Sequence, residues 1–264
     1  MSKPLFNTTR LQGKTAVITG ASGGIGESTA ILFARAGCNV ILLARRKEAL
    51  DQVAKKCQEE GGKDVKVLAK TLDVNDRDAV ERLIPELKEA GFSSFDILVN
   101  NAGGAIGKEQ VGAMSDIDFM LSTNLASLMQ LSNVFVNEMK KADTGHIINI
   151  GSLAGREAYV GGSVYCAVKH AVKAFTNSLM KELVATGIRV SEVAPGFVET
   201  NFSVIRFRGD ADAASKVYEG FTPLTAEDIA EEIVWVALRP PHVQIAELHV
   251  LPSAQGGATI IARK

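Results

Sequence analysis

Cysteine is scarce in this sequence: Cys38, Cys57 and Cys166 are the three present, and no two of them form a CxxC pair. That spacing supports neither a zinc site nor a disulfide framework, so no metal is expected and the thiols read as small buried hydrophobes in a reducing compartment. Long apolar runs are also missing. Nothing reaches the roughly 18 residues of a membrane span. The opening MSKPLFNTTRLQGK has no apolar signal core and no Arg/Ser-rich amphipathic leader, which points to a cytoplasmic protein. An excess of charge is absent too. The formal net charge is −1, so neither nucleic acid nor an anionic membrane is an expected partner.

What is present is an ordinary globular composition, 46% hydrophobic and 22% charged over 264 residues, enough to bury a core without staples. Short apolar runs alternate with stretches of helical period. Lys14–Thr19, Asn39–Ala44, Val65–Ala69, Asp96–Asn100, His146–Ile150, Ile188–Ala194 and Glu247–Leu251 read as strands. Helices are expected between them: one after the glycines with Ile25, Thr29, Leu32, Phe33 and Ala36 on a face, one around Leu50–Cys57, and one around Val80–Leu87 that Pro85 should kink. Longer ones are expected over Asp116–Lys141, Ser163–Ala185 and Ala226–Leu238. Near-continuous apolar strands separated by helices imply a parallel sheet covered on both faces, a doubly wound α/β fold. Ligands then bind at the carboxyl ends of the strands, near the switch in strand order. Residues 200–223 break the alternation and are a candidate substrate lid.

Thr19-Gly20-Ala21-Ser22-Gly23-Gly24-Ile25-Gly26 joins the first strand to the first helix. Glycine allows the tight turn and a close backbone approach to phosphate, and the helix start supplies free N–H groups. An enzyme using NAD usually places Asp or Glu about 20 residues further on, to hold the ribose hydroxyls. Here the tip of the second strand reads Ala44-Arg45-Arg46. Two guanidinium groups suit a 2′-phosphate, which favours NADP.

Ser152, Tyr165 and Lys169 follow the fifth strand. Tyr165 and Lys169 lie four apart on an expected helix and share a face. Reducing a ketone by hydride requires a proton for the nascent alkoxide, and the reverse reaction requires a base. A free tyrosine titrates near pH 10, too high for efficient work at neutrality. A neighbouring ammonium such as Lys169 lowers it. The Ser152 hydroxyl can bond the reacting oxygen.

From about Gly13 to Pro252 the chain resembles the short-chain dehydrogenase/reductases. The resemblance rests on TGASGGIG (Thr19–Gly26), Asp73-Val74, NNAG (Asn100–Gly103), Asn124, Ser152, YCAVK (Tyr165–Lys169) and PGFVET (Pro195–Thr200). It implies one dinucleotide-binding oxidoreductase domain over residues 1–264, a seven-stranded parallel Rossmann sheet and a tetrad of Asn124, Ser152, Tyr165 and Lys169. Cofactor contacts are implied at Gly20, Ser22, Gly24, Ile25, Gly26, Arg45, Arg46, Asp73, Val74, Asn101, Ala102, Gly103, Tyr165, Lys169, Pro195, Gly196, Val198 and Thr200. A homotetramer is implied as well, paired through the helices near Asn124–Lys141 and Tyr165–Ala185.

GREAYVGGSVYCAVK, NFSVIRFRGD and TPLTAEDIAE look like the NADP-dependent 3-hydroxy acid dehydrogenases. Such chemistry calls for a cation on the substrate carboxylate, with Arg156, Arg206 and Arg208 as candidates and Ser152 and Phe202 as further substrate contacts. The rival enzyme reading is a reductase of a bulkier ketone, such as a 3-oxoacyl thioester or steroid-like carbonyl, supported by Phe202, Val204, Ile205 and Phe207 in the lid. From another class, a dinucleotide-sensing protein without turnover would have no need of the tetrad.

Overall fold

The computed structural model describes residues 7–110 and 116–264. Among the described residues, seven strands form one parallel sheet in the order β3-β2-β1-β4-β5-β6-β7. They are β1 Thr15–Thr19, β2 Asn39–Ala44, β3 Val67–Thr71, β4 Ile97–Asn100, β5 Gly145–Ile150, β6 Ile188–Pro195 and β7 Glu247–Val250. The inner strands lack polar alternation because both faces are covered. All residues of β1 and β4 are buried.

The helices are α1 Gly24–Arg35, α2 Lys47–Gly61, α3 Arg77–Glu89, α4 Ile117–Leu121, α5 Ser127–Ala142, α6 Ser163–Glu182, α7 Asn201–Arg206, α8 Ala211–Lys216 and α9 Ala226–Ala237. One core packs Phe33 of α1, Leu50 of α2 and Ile233 of α9 against Ile18 and Leu42. The other packs Leu83 of α3 and Phe135 of α5 against Val17, Ile41 and Leu98. Cys38 and Cys57 are buried, and burial pushes both thiols up to about 12, which leaves them unreactive.

Four local expectations need correction. β3 starts two residues later than its apolar pattern suggested, at Val67. α6 ends at Glu182 rather than Ala185. The helix expected over Asp116–Lys141 carries one widened π turn at Ser122–Ala126. There the Asn124 amide donates to Met120 O (2.9 Å) and the Ser127 hydroxyl to Thr123 O (2.7 Å), so side chains compete for the carbonyls that the helical ladder would use. The segment 200–223 is not wholly irregular: Thr200 and Asp210 cap two short helices, accepting from Phe202 N and Ala213 N. Pro85, exposed on α3, does not end that helix. Its missing N–H removes one ladder bond on the solvent side.

Candidate active site

Strand order reverses between β1 and β4, and the loops leaving these two strands open a cavity of about 750 Å³ along the carboxyl edge of the sheet. Its floor is the glycine loop. A Cβ on Gly26 would stand 2.4 Å from Gly20 O, and one on Gly20 would stand 2.9 Å from Asn101 Nδ2. No side chain at these positions is compatible with the close helix-to-strand approach. Gly24 has φ +56°, a left-handed conformation suited to glycine. No side chain caps α1 at Gly23, so its first amides keep their donors for an anion. Arg46, the residue before α2, reaches back over this loop. Its Nη2 donates to Ser22 O (2.9 Å) and Ser22 Oγ (3.1 Å). Arg45, Asp73, Val74, Asn101, Ala102 and Gly103 line the same cavity. These residues fit a dinucleotide carrying an extra phosphate: a glycine floor, open amide donors and two guanidinium groups at one end.

At the other end stand Ser152, Tyr165 and Lys169, with Pro195, Gly196, Val198 and Thr200 along the wall. Ser152 precedes a single 3-10 turn and accepts a hydrogen bond from Ala154 N (3.1 Å). Lys169 is buried in α6, donates to Ile150 O (2.9 Å), and places its Nζ 5.7 Å from the Tyr165 ring centroid. Burial lowers its pKa to about 8, with the Glu192 charge acting the other way. Contrary to the lowering expected from Lys169, burial pushes the Tyr165 phenol up, the Tyr159 phenol adds to this, and a hydrogen bond with Ser152 opposes it. Asn124 stands at the π turn, where Gly104 N donates to its Oδ1 (3.0 Å) and its Nδ2 donates to Gly104 O (2.9 Å). A helix residue thereby fixes the loop that follows β4.

The three arginines proposed for a carboxylate part company. Arg206 faces the cavity, its guanidinium 5.7 Å from the Tyr165 ring and 5.5 Å from the Tyr159 ring. Phe202 packs against Tyr165 at 5.9 Å between ring centroids. Arg156 does not serve as a substrate contact. It turns away and forks onto Glu192 (2.6 and 2.7 Å), with further bonds to Glu247 (3.0 Å) and to His249 Nε2 (2.7 Å). A buried carboxylate on β6 captures it because Glu192 is 0% exposed and has to be neutralised. Arg208 is likewise engaged, by Glu109 and Asp116 at 2.9 Å each.

Lys108 and Tyr159 also line the cavity and were not singled out from the sequence. Tyr159 sits between Ser152 and Tyr165 in a stretch already noted for its resemblance. Lys108 gave no signal, since a lone lysine in a glycine-rich loop reads as solvated surface.

Residues 14–209 match the family of the short chain dehydrogenases. The chain belongs to that family. An NADP-dependent 3-hydroxy acid dehydrogenase from Schizosaccharomyces pombe is 45% identical over 97% of this chain and 98% of its own length. Sulfoacetaldehyde reductase 2 from Chromohalobacter salexigens is 40% identical, over 90% of this chain and 94% of its own. A serine dehydrogenase solved in its closed form with NADP+ superposes with a TM-score of 0.84 at 36% identity, covering 95% of this chain and 99% of that one.

Proposed function

We propose that this chain is an NADP-dependent dehydrogenase of small 3-hydroxy acids that also reduces the matching 3-oxo acids. The observation that carries the reading is Arg206. It faces Tyr165 across the cavity and, among the described residues, has no carboxylate partner. The names of the relatives agree with it: each acts on a small molecule bearing a carboxylate or sulfonate.

The glycine loop and the start of α1 would hold the diphosphate, and Arg45 with Arg46 the 2′-phosphate. Asp73 and Val74 would meet the adenine, Asn101–Gly103 the adenosine ribose, and Pro195–Thr200 the nicotinamide end. When bound, the cofactor gives or takes the hydride. Tyr165 passes the proton to or from the substrate oxygen. Lys169 holds positive charge beside the phenol, and Ser152 bonds the same oxygen. Asn124 keeps the Gly104 loop and the π turn together beside them. Arg206 grips the acid.

Initial rates of NADPH formation test this with 3-hydroxyisobutyrate, 3-hydroxypropionate, serine and allo-threonine, each beside its methyl ester. Turnover of the free acids lost on esterification is expected. The apolar wall of Phe119, Phe202, Ile205 and Phe207 favours a second reading, reduction of a bulkier ketone. Ketone reduction with no turnover of any acid would establish that one instead.

Replacing Arg45 and Arg46 together by Ala is expected to raise KM for NADP about 10- to 100-fold, since charge-assisted bonds contribute about 1.5–3 kcal/mol. KM for NAD should stay within about threefold. Equal losses with both cofactors would sink the assignment.

The assembly is read as a homotetramer. Leu128 turns into the core, which removes it from any interface, whereas Leu121 is 42% exposed on α4 and is available for one. Light scattering decides this. Among the described residues no helix is long and apolar enough to cross a membrane, which fits a protein of the cytoplasm.

A further inference from the structure

The charge at the substrate end of the cavity has one sign. The charged side chains lining the whole cavity, among the described residues, are Arg45, Arg46, Asp73, Lys108, Lys169 and Arg206. Asp73 follows β3, on the far side of the switch point from the lid, and Arg45 and Arg46 follow β2 beside it. The lid end therefore holds Lys108, Lys169 and Arg206 and no carboxylate.

Lys108 and Arg206 are held together by the backbone. Gly107 N donates to Arg206 O (2.8 Å), and Arg206 Nε points back at Gly107 O (3.4 Å). This ties the loop after β4 to α7 and sets Lys108 beside the lid, its Nζ 5.9 Å from the Phe207 ring. Among the described residues neither cation has a carboxylate partner. Partial burial lowers the Lys108 pKa, and the Arg206 charge lowers it further.

A guanidinium fork satisfies the two oxygens of one carboxylate. Lys108 is then left over, partly buried at the same end of the cavity and within reach of the Arg206 charge. An ammonium beside the carboxylate would meet like charge with no protein carboxylate, among the described residues, to offset it, whereas a methyl group would meet the apolar lining that Phe202 and Phe207 supply.

We propose that Lys108, acting with Arg206, makes this site select against a cationic substituent next to the carboxylate. The preferred substrate is then a 3-hydroxy acid bearing hydrogen or alkyl at that position, not an amino acid. The inference rests on the 3-hydroxy acid reading above and narrows it.

Serine and 3-hydroxyisobutyrate form a natural probe pair, because they share a skeleton and differ by ammonium against methyl. The experiment measures kcat/KM with NADP for both enantiomers of each, on the unaltered enzyme and on Lys108→Met and Lys108→Glu. The expected ratio of 3-hydroxyisobutyrate to serine in the unaltered enzyme is above about 100. Lys108→Met should lower it about tenfold, and Lys108→Glu further, with the gain on the serine side. A starting ratio at or below one overturns the proposal, and so does a ratio that Lys108→Glu leaves unmoved.

If neither acid turns over while ketones are reduced, the 3-hydroxy acid reading fails by that separate observation. The charge ratio is then read from competitive inhibition of NADPH-linked ketone reduction by the same two acids. Equal inhibition constants would overturn the Lys108 proposal, and weaker inhibition by serine, relieved in Lys108→Glu, would uphold it.

Discussion

Tyr165→Phe is expected to lower kcat about 10²- to 10⁴-fold, the range that a positioned proton donor contributes. Binding of NADPH, followed by fluorescence titration, should change by less than about threefold. The substitution removes one oxygen and keeps the ring that packs at 5.9 Å against Phe202. The loss is thus chemical, and KM should move little. A dinucleotide sensor without turnover would show no effect on either measurement. If turnover survives within tenfold, the proton comes from elsewhere and the tetrad assignment is wrong.

The same residue fixes a pH dependence with opposite signs in the two directions. Burial pushes the Tyr165 phenol above its usual range, so at neutral pH it carries its proton. Reduction needs that proton and should be flat or falling as pH rises. Oxidation needs the phenolate and should speed up between pH 7 and 9. Lys169, brought down to about 8 by burial, loses its charge within that interval and so limits how far the rise continues. Measuring kcat/KM in both directions across the range checks the signs. Parallel profiles would contradict Tyr165 as the shared proton carrier.

The inner strands were legible because they are buried on both faces, and a nearly continuous apolar run such as Asn39–Ala44 has no other use in a chain of this composition, whereas the edge strands β3 and β7 are only partly buried. The glycine loop was legible for a steric reason: Gly26 faces the Gly20 carbonyl, Gly20 faces Asn101 and the Ala102 backbone, and nothing larger fits. Tyr165 and Lys169 share a helix face, so their spacing carried the information. Arg156 and Arg206 could not be told apart in this way. Both stand in stretches that resemble the same enzymes, and both have carboxylates nearby in sequence. The difference is Glu192, 36 residues from Arg156 and brought to it by the pairing of β5 with β6. A carboxylate inside the apolar run Ile188–Ala194 demanded a partner, but the sequence does not say which arginine crosses the sheet to meet it. The π turn at Asn124 was hidden for a related reason, since one extra residue in a turn leaves the apolar pattern on either side intact.

Arg156→Met is expected to cost about 3–5 kcal/mol of stability, because it leaves the Glu192 carboxylate buried and unpaired. The side chains are 9% and 0% exposed, so solvent screens the pair little. Burial alone would lower the Arg156 pKa, but its bonds to Glu192 and Glu247 outweigh that and hold it above the usual value. Arg156 therefore stays charged at every working pH. Urea midpoints at fixed protein concentration read the loss. The double variant Arg156→Met with Glu192→Leu should recover most of it, since two packed apolar side chains replace a buried ion pair at little cost. Activity should not recover in step. The clamp lies behind the segment that carries Ser152: Gly151 N donates to Val193 O (2.8 Å), and a Cβ on Gly151 would stand 1.9 Å from Glu192 Oε1. Restored stability with kcat still reduced would assign the pair to the placement of Ser152. A double variant with both stability and kcat restored would leave it a packing element alone.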